Sequence, residues 1–147
     1  PKLYFYDVGL AAYLLGIENE RQIFTHPLKG ALFENLVVME ALKYRYNRGL
    51  RSNLAFFRDS TGLEVDLLAS HAHRLVGIEI KAGATLHREF FANLRKLSSL
   101  LPEPLAAQVL VHGGESERIQ EGVSVTHPRG FATQLAQIQA TLDETPP

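Results

Sequence analysis

The pattern of polar and apolar residues is most regular between Glu64 and Lys81. Charged and aliphatic residues alternate at the start of Glu64–Ala69 and again in Ile78–Lys81. A polar stretch, Ser70–Arg74, separates the two segments. Alternation with a period of two predicts β-strands, and a short polar stretch between two such segments predicts an antiparallel hairpin.

The register of this hairpin follows from its numbering. If the turn is centred between Ala72 and His73, paired residues have numbers that add to 145. One face of the hairpin is then charged and the other is aliphatic. The charged pairs are Asp66 with Glu79 and Glu64 with Lys81, and the aliphatic pairs are Val65 with Ile80 and Leu67 with Ile78.

Two carboxylates on opposed residues need a cation. Directly opposed Cβ atoms lie roughly 4.5–5.5 Å apart, and like charges in that position are destabilising. Lys81 can supply part of the positive charge. A hard divalent ion such as Mg2+ is the other candidate, and a neighbouring lysine could then orient a water or stabilise charge on a phosphate. The spacing alone leaves open an amphipathic edge hairpin with a solvated polar face, held by cross-strand ion pairs.

The remaining pattern predicts an α/β fold with a mixed sheet. The order is helix, three strands, helix, one or two strands, helix, which indicates an antiparallel meander that leads into a crossover. We expect a short helix and a loop in residues 1–27, the main domain in 28–142 and a frayed tail in 143–147. The predicted elements are a helix Val8–Leu15 capped by Asp7, a loop to Pro27, a buried helix Gly30–Asn47, a strand Leu54–Arg58, a turn Asp59–Gly62, a helix Leu86–Leu101 capped by Thr85, strands Ala107–His112 and Gly122–Thr126, and a last amphipathic helix through Phe131 and Leu142.

Composition narrows the class of protein modestly. The chain has 147 residues, of which 46% are hydrophobic, so it can bury a core within one domain. Fifteen basic and sixteen acidic residues leave it near neutral, which excludes a strongly basic nucleic-acid binder. No cysteine is present and no apolar run approaches a membrane span, so we expect a cytoplasmic protein. The start at Pro1 suggests a piece of a longer protein.

Glu34 is the one further candidate from the predicted buried helix. On a helical wheel it falls between Val37, Val38 and Ala41, where an ionised carboxylate is costly without a partner. We expect Glu34 to meet a cation, such as Arg45 or Lys81, or to face the same metal site.

These residues resemble the PD-(D/E)XK phosphodiesterase superfamily, which has the restriction-endonuclease-like fold. The matching positions are Glu34, Asp66, Glu79 and Lys81, and the order helix-strand-strand-strand-helix-strand also matches. More closely, four segments look like the uncharacterised C-terminal domain of a prokaryotic family of AAA-type ATPases, in which a P-loop ATPase and a winged-helix segment come first. Those segments are Lys2–Gly9, Gly30–Leu36, Arg58–Asp66 and Glu79–Gly83.

The resemblance implies a metal-dependent nuclease. Asp66 and Glu79 would bind Mg2+ or Mn2+, Lys81 would position or activate the attacking water, and Glu34 would support the metal site. The partners would be nucleic acid, with DNA favoured over RNA, and an ATPase domain in cis that is not in this chain, which has no P-loop motif. The candidates for contact with nucleic acid are Arg88, Arg95 and Lys96, and also Arg45, Arg48 and Arg51. Each of these small clusters can also be read as ordinary solvated surface charge.

A function of another class stays open at this point. The domain could keep the fold but act as a regulatory or oligomerisation module, which binds a partner or nucleic acid without cutting it. The apolar stretch Leu3–Leu15 would then be an interface. Homo-oligomerisation is also left open by the sequence.

Overall fold

A computed structural model describes residues 2–145 of the chain. The described part has helices on both sides of one six-stranded mixed sheet, which confirms the predicted α/β class. The helices are α1 (Val8–Leu14), α2 (Glu20–Thr25), α3 (Lys29–Tyr46), α4 (Ala92–Leu100) and α5 (Pro128–Glu144), with a 3-10 turn at Arg88–Phe91. The strands are β1 (Leu54–Arg58), β2 (Glu64–His71), β3 (Arg74–Lys81), β4 (Ala107–His112), β5 (Arg118–Gln120) and β6 (Val123–Thr126).

The sheet combines an antiparallel meander with a parallel half. Its strand order is β1-β2-β3-β4-β6-β5. β1, β2 and β3 pair in antiparallel fashion, β3 pairs with β4 in parallel, and β4 pairs with β6 in parallel. The core order α3-β1-β2-β3-α4-β4 is compatible with a restriction-endonuclease-like architecture.

The β2–β3 hairpin has the predicted register. Its pairs run from Leu67 with Ile78 to His71 with Arg74, and in each pair the residue numbers add to 145. The turn is formed by Ala72 and His73, and Ala72 has a positive φ of 53°. Such a two-residue loop, which fixes the register of a hairpin, needs left-handed backbone.

A β-bulge interrupts β2 beside the predicted site. Ala55 of β1 pairs with Leu68, whereas Phe57 pairs with Val65, so two residues of β2 oppose one residue of β1. Val65 and Leu68 therefore pack in one apolar cluster, while Leu67 packs in the other. The predicted single aliphatic face is wrong for Val65 because the bulge breaks the alternation.

Both faces of the sheet are covered by apolar side chains. One cluster lies between the sheet, α3 and α5, and the other lies between the sheet, the 3-10 turn and α4. The hairpin is thus in the interior of the sheet. The first cluster includes Val37, Ala41, Ile78, Val109 and Phe131, and the second includes Phe91, Leu94, Leu97, Leu110 and Val123.

Several boundaries differ from the sequence prediction. The predicted loop before Pro27 contains α2, which begins with a capping box of Asn19 and Gln22. The helix predicted from Leu86 begins only at the 3-10 turn, without a side-chain cap from Thr85. β5 was not predicted, because only three residues form it and they are mostly exposed.

The two ends of the chain complete the comparison. α5 continues through Asp143 and Glu144, two residues of the predicted frayed tail. Pro146 and Pro147, the rest of that tail, lie outside the described residues. No helix within residues 2–145 is long and apolar enough to cross a membrane.

Candidate functional site

Asp66, Glu79 and Lys81 meet at the end of the β2–β3 hairpin. Lys81 Nζ lies 2.6 Å from Glu79 Oε1 and 3.8 Å from Asp66 Oδ2. The same Asp66 oxygen accepts a hydrogen bond from the backbone N–H of Ile80 at 2.8 Å. The Asp66 side chain is thereby anchored to β3 directly beyond the last backbone pair, Leu67 with Ile78. The structure therefore brings together three of the four predicted catalytic residues.

Burial dominates the electrostatics of this group. The Glu79 side chain is only 3% exposed and that of Asp66 is 14% exposed. Burial and the nearby charge of Asp66 raise the pKa of Glu79 to about 7, although Lys81 opposes the shift. Burial likewise raises the pKa of Asp66, against the opposing effects of Lys81 and the Ile80 N–H. For Lys81, burial favours the neutral form, but the hydrogen bond and charge of Glu79 outweigh it and raise the pKa of the ammonium group.

This burial decides against a solvated edge hairpin. β2 and β3 occupy the second and third positions of the sheet, and Glu79 belongs to the buried polar residues of the described chain. A buried carboxylate pair is costly unless its charges are balanced. The group is therefore a buried cluster of charges and not an exposed row of strand charges.

Glu34 meets a cation, but that cation is Lys2 and neither of the two predicted. Lys2 Nζ lies 3.0 Å from Glu34 Oε1 and 2.9 Å from Glu64 Oε1. The Arg45 guanidinium instead donates to the backbone oxygen of Arg51. The near cation of Glu64 is also Lys2, which lowers the pKa of that carboxyl. The β2–β3 pairing ends at Leu67 with Ile78 and does not reach Glu64, so its predicted place opposite Lys81 stays a prediction.

An extended N-terminal segment holds Lys2 in this position. The buried side chain of Asn35 accepts from Phe5 N at 2.7 Å and donates to Phe5 O at 2.8 Å. Tyr4 Oη donates to Glu34 Oε1 at 2.6 Å. Burial and this hydrogen bond raise the pKa of the Tyr4 phenol. We call residues 2–6 the N-terminal strap. It is anchored to α3 by specific hydrogen bonds.

The basic residues predicted to grip nucleic acid are partly neutralised. Arg88 and Arg95 both pair with Glu121, and the Arg88 side chain is 92% exposed. Lys96 is exposed on α4. These three basic side chains are exposed, but Glu121 reduces the net positive charge of their surface.

The second basic group lies away from the site. Arg45 is 11 positions after Glu34 on α3, which places it about 16 Å further along the helix axis. The Arg48 guanidinium stacks on the Tyr44 ring at 3.8 Å and donates to the Tyr44 backbone oxygen. With Arg45 bound to the Arg51 backbone, these residues stabilise the end of α3. A nucleic-acid contact by Arg45, Arg48 or Arg51 stays a prediction.

The donor set at Asp66 and Glu79 fits a hard divalent cation. Mg2+ binds through one or two carboxylates, with waters and substrate phosphate oxygens completing its coordination. Glu79 Oε2 is a buried oxygen without a hydrogen-bond partner among the described residues. Residues 2–145 contain no group of three or more His, Cys, Asp or Glu side chains arranged to hold a metal. The fit is therefore to an ion held by two carboxylates.

Comparison with known families identifies the family of this chain. A family model described as Domain of unknown function (DUF4143) matches residues 29–129, which is more than half of the chain. The chain belongs to the DUF4143 family. This domain is often found with AAA ATPases, in agreement with the closer of the two resemblances. The DUF4143 match spans all four predicted catalytic residues and leaves the strap outside. No curated protein matches the sequence.

Lys2 and Tyr4 are the site residues that sequence reasoning missed. Both belong to a segment used only to support the family resemblance, and neither has a spacing that relates it to Glu34, about 30 positions away. The sequence did hold one signal for their shared contact with Glu34. Lys2 and Tyr4 are two positions apart, and an extended segment places two such side chains on the same side.

Proposed function

We propose that this DUF4143 domain is a metal-dependent nuclease that hydrolyses phosphodiester bonds. The observation that carries the proposal is the buried Asp66–Glu79 pair around Lys81, in which one Glu79 oxygen has no hydrogen-bond partner within residues 2–145. A structural ion pair would need only one carboxylate for one lysine. Two buried carboxylates with raised pKa values form a costly arrangement that a divalent cation would relieve.

Each residue of the site has a distinct proposed role. Asp66 and Glu79 would hold Mg2+ or Mn2+. The ion, when bound, would supply positive charge for the scissile phosphate and lower the pKa of a water. Lys81, whose side chain is 31% exposed, would orient the attacking water and stabilise charge on the phosphate. Glu34 would support the site through Lys2 rather than by direct contact with Lys81.

The decisive experiment joins metal binding to cleavage. Mn2+ titration by calorimetry is compared for the wild type, Asp66→Ala and Glu79→Ala, followed by cleavage assays on single- and double-stranded DNA and RNA. We expect binding to the wild type only, and loss of cleavage by at least about a hundredfold in both variants and in Lys81→Met. Glu115→Gln is a matched control, since it neutralises an exposed carboxylate that pairs with Arg129.

Two results would overturn the proposal. One is the absence of Mn2+ binding to the wild type at pH 8. The other is cleavage that persists in Asp66→Ala and Glu79→Ala, because this would assign the activity to another site or to a contaminant.

A second candidate is a regulatory or oligomerisation module of an ATPase. It is favoured by large apolar residues that stay exposed on the strap and on α1. Leu3 is 88% exposed, Tyr6 74%, Tyr13 75% and Leu14 63%. Such a patch is typical of an interaction surface. Mn2+ binding with no cleavage of any of the four nucleic acids would favour this candidate.

A further inference from the structure

Four carboxylates lie at this site, and each of two lysines contacts two of them. Lys81 contacts Glu79 and Asp66, and Lys2 contacts Glu34 and Glu64. Both ammonium groups are partly exposed, at 31% and 29% of their side-chain surface. The arrangement resembles two adjacent cation positions, of which one is filled by a lysine from the N-terminal strap.

We propose that Lys2 is a built-in cation at Glu34 and Glu64, so that the site binds one divalent metal ion, at Asp66 and Glu79, and excludes a second. This inference rests on the proposed metal site and specifies its stoichiometry. An ammonium group at 2.9–3.0 Å from both carboxylates occupies the space that a second ion would need.

The charges at the site agree with one ion. When ionised, the four carboxylates carry −4, and the two lysines return +2. One divalent cation then brings the group to neutrality, whereas two would leave it at +2. Without Lys2 the carboxylates would have an excess of −3, and a second ion would become favourable.

The strap explains why Lys2 stays in place. Holding a long side chain between two carboxylates costs conformational entropy, which makes most exposed ion pairs weak. Here the backbone at Phe5 is fixed by two hydrogen bonds to the buried Asn35, and Tyr4 donates to the same oxygen of Glu34 that binds Lys2. Lys2 is therefore oriented in advance. The fold thus positions the Lys2 ammonium group between the carboxylates of Glu34 and Glu64.

Mn2+ stoichiometry tests the inference without relying on cleavage. Bound Mn2+ is counted by electron paramagnetic resonance and calorimetry at pH 8 in the wild type, Lys2→Met, Lys2→Arg and Lys43→Met. Lys43 is the matched control, because its pair with Glu40 is exposed and lies within α3. We expect one ion in the wild type, Lys2→Arg and Lys43→Met, and two ions in Lys2→Met.

The possible outcomes separate this inference from the proposed function. Two ions in the wild type, or one ion in Lys2→Met, would overturn the role of Lys2 and leave the nuclease proposal standing. No ion in any variant would overturn both. Lys2→Met combined with Glu64→Gln should return to one ion, and retention of two ions in that variant would also contradict the inference.

Discussion

Glu79 and Lys81 form a 2.6 Å ion pair in which the carboxylate is almost completely buried and the ammonium group reaches solvent. The two residues are two positions apart on β3, so their side chains lie on the same face. Their charges cancel locally, yet Asp66 adds a second buried carboxylate. The excess of negative charge is what makes this pair unlike an ordinary structural salt bridge.

Glu79→Gln should flatten the dependence of stability on pH. Glu79 has a pKa of about 7 in the folded chain against an ordinary value of 4.5. Between these values the folded state binds more protons than the unfolded state, so wild-type stability falls as pH rises and the loss is complete above pH 7. Urea unfolding across this range should show that the free energy of unfolding of the variant rises relative to that of the wild type, by up to about 3 kcal/mol. In the variant, Asp66 still contributes a smaller dependence of stability on pH with the same sign, because its pKa is also raised.

The control for this comparison is Glu115→Gln, whose carboxylate is 83% exposed and should leave the profile unchanged. If the stability curves of Glu79→Gln and the wild type run parallel, Glu79 does not hold its proton up to neutral pH.

Metal affinity should rise with pH through about 7. A carboxylate must be deprotonated to bind a metal ion, and a pKa of about 7 leaves Glu79 mostly protonated at pH 6 and mostly ionised at pH 8. We expect Mn2+ to bind roughly tenfold more tightly at pH 8 than at pH 6, which is the ratio of the ionised fractions of a carboxyl group with a pKa of about 7, and binding at pH 6 should release close to one proton. Calorimetry in buffers with different ionisation enthalpies measures that proton. Equal affinity at both pH values would show that the ion does not bind at Glu79.

Gly113→Ala should destabilise the protein beside Lys81. A Cβ at this position would collide with the backbone oxygen of Ala82, directly after Lys81, while Gly113 N donates to the Lys81 oxygen at 3.0 Å. We expect a loss of about 1–3 kcal/mol in the free energy of unfolding. Gly30→Ala is the matched control, since a Cβ there meets nothing within 4 Å and the residue lies in the first turn of α3, so the free energy of unfolding should not fall. Equal melting temperatures for the two variants would contradict this prediction.

Glu121→Gln should strengthen binding to duplex DNA. Glu121 pairs with both Arg88 and Arg95, so its neutralisation frees positive charge on this surface. Binding by the wild type should be weak and sensitive to salt, because the chain is nearly neutral. Fluorescence anisotropy at low salt should show a gain of several-fold in Glu121→Gln and a loss in Arg95→Ala. Glu103→Gln, at another exposed carboxylate, is the control. Submicromolar, salt-insensitive binding by the wild type would refute this account.

Asn35→Asp should loosen the N-terminal strap. The aspartate keeps an acceptor for Phe5 N but loses the donor to Phe5 O, and it places a buried charge near that carbonyl. We expect a loss of about 1–3 kcal/mol in stability and faster hydrogen exchange at the Phe5 amide. Unchanged exchange at Phe5 would show that other contacts hold the strap.

The fold was largely predictable because its signals are local. The hairpin register followed from a two-residue turn, and β1 and β4 were predicted with the observed bounds. α2 and β5 were missed because one is short and the other has three residues, so periodicity has little to act on. Burial of Glu79 was not predictable either. Alternation reveals which residues share a face, but it does not reveal whether another element covers that face.

The site was predicted in part for the same reason. Asp66, Glu79 and Lys81 lie within one hairpin, where numbering fixes proximity. The contact of Lys2 with Glu34 joins residues 32 positions apart, and it depends on how an irregular segment docks on a helix. No periodic pattern encodes such docking.

The bulge in β2 makes this site sensitive to the length of one strand. Val65 and Leu68 lie on one face although three positions separate them. Deleting one of the two residues between them would leave Val65 and Leu68 two positions apart, so a regular strand would keep both on this face and Glu64 on the other. The bulge is therefore the extra position that lets β2 carry both the Asp66 carboxylate and the Leu67 core side chain opposite one residue of β1. A strand shorter by one residue would keep Glu64, Glu79 and Lys81 but would have to give up either the Asp66 carboxylate or the Leu67 side chain.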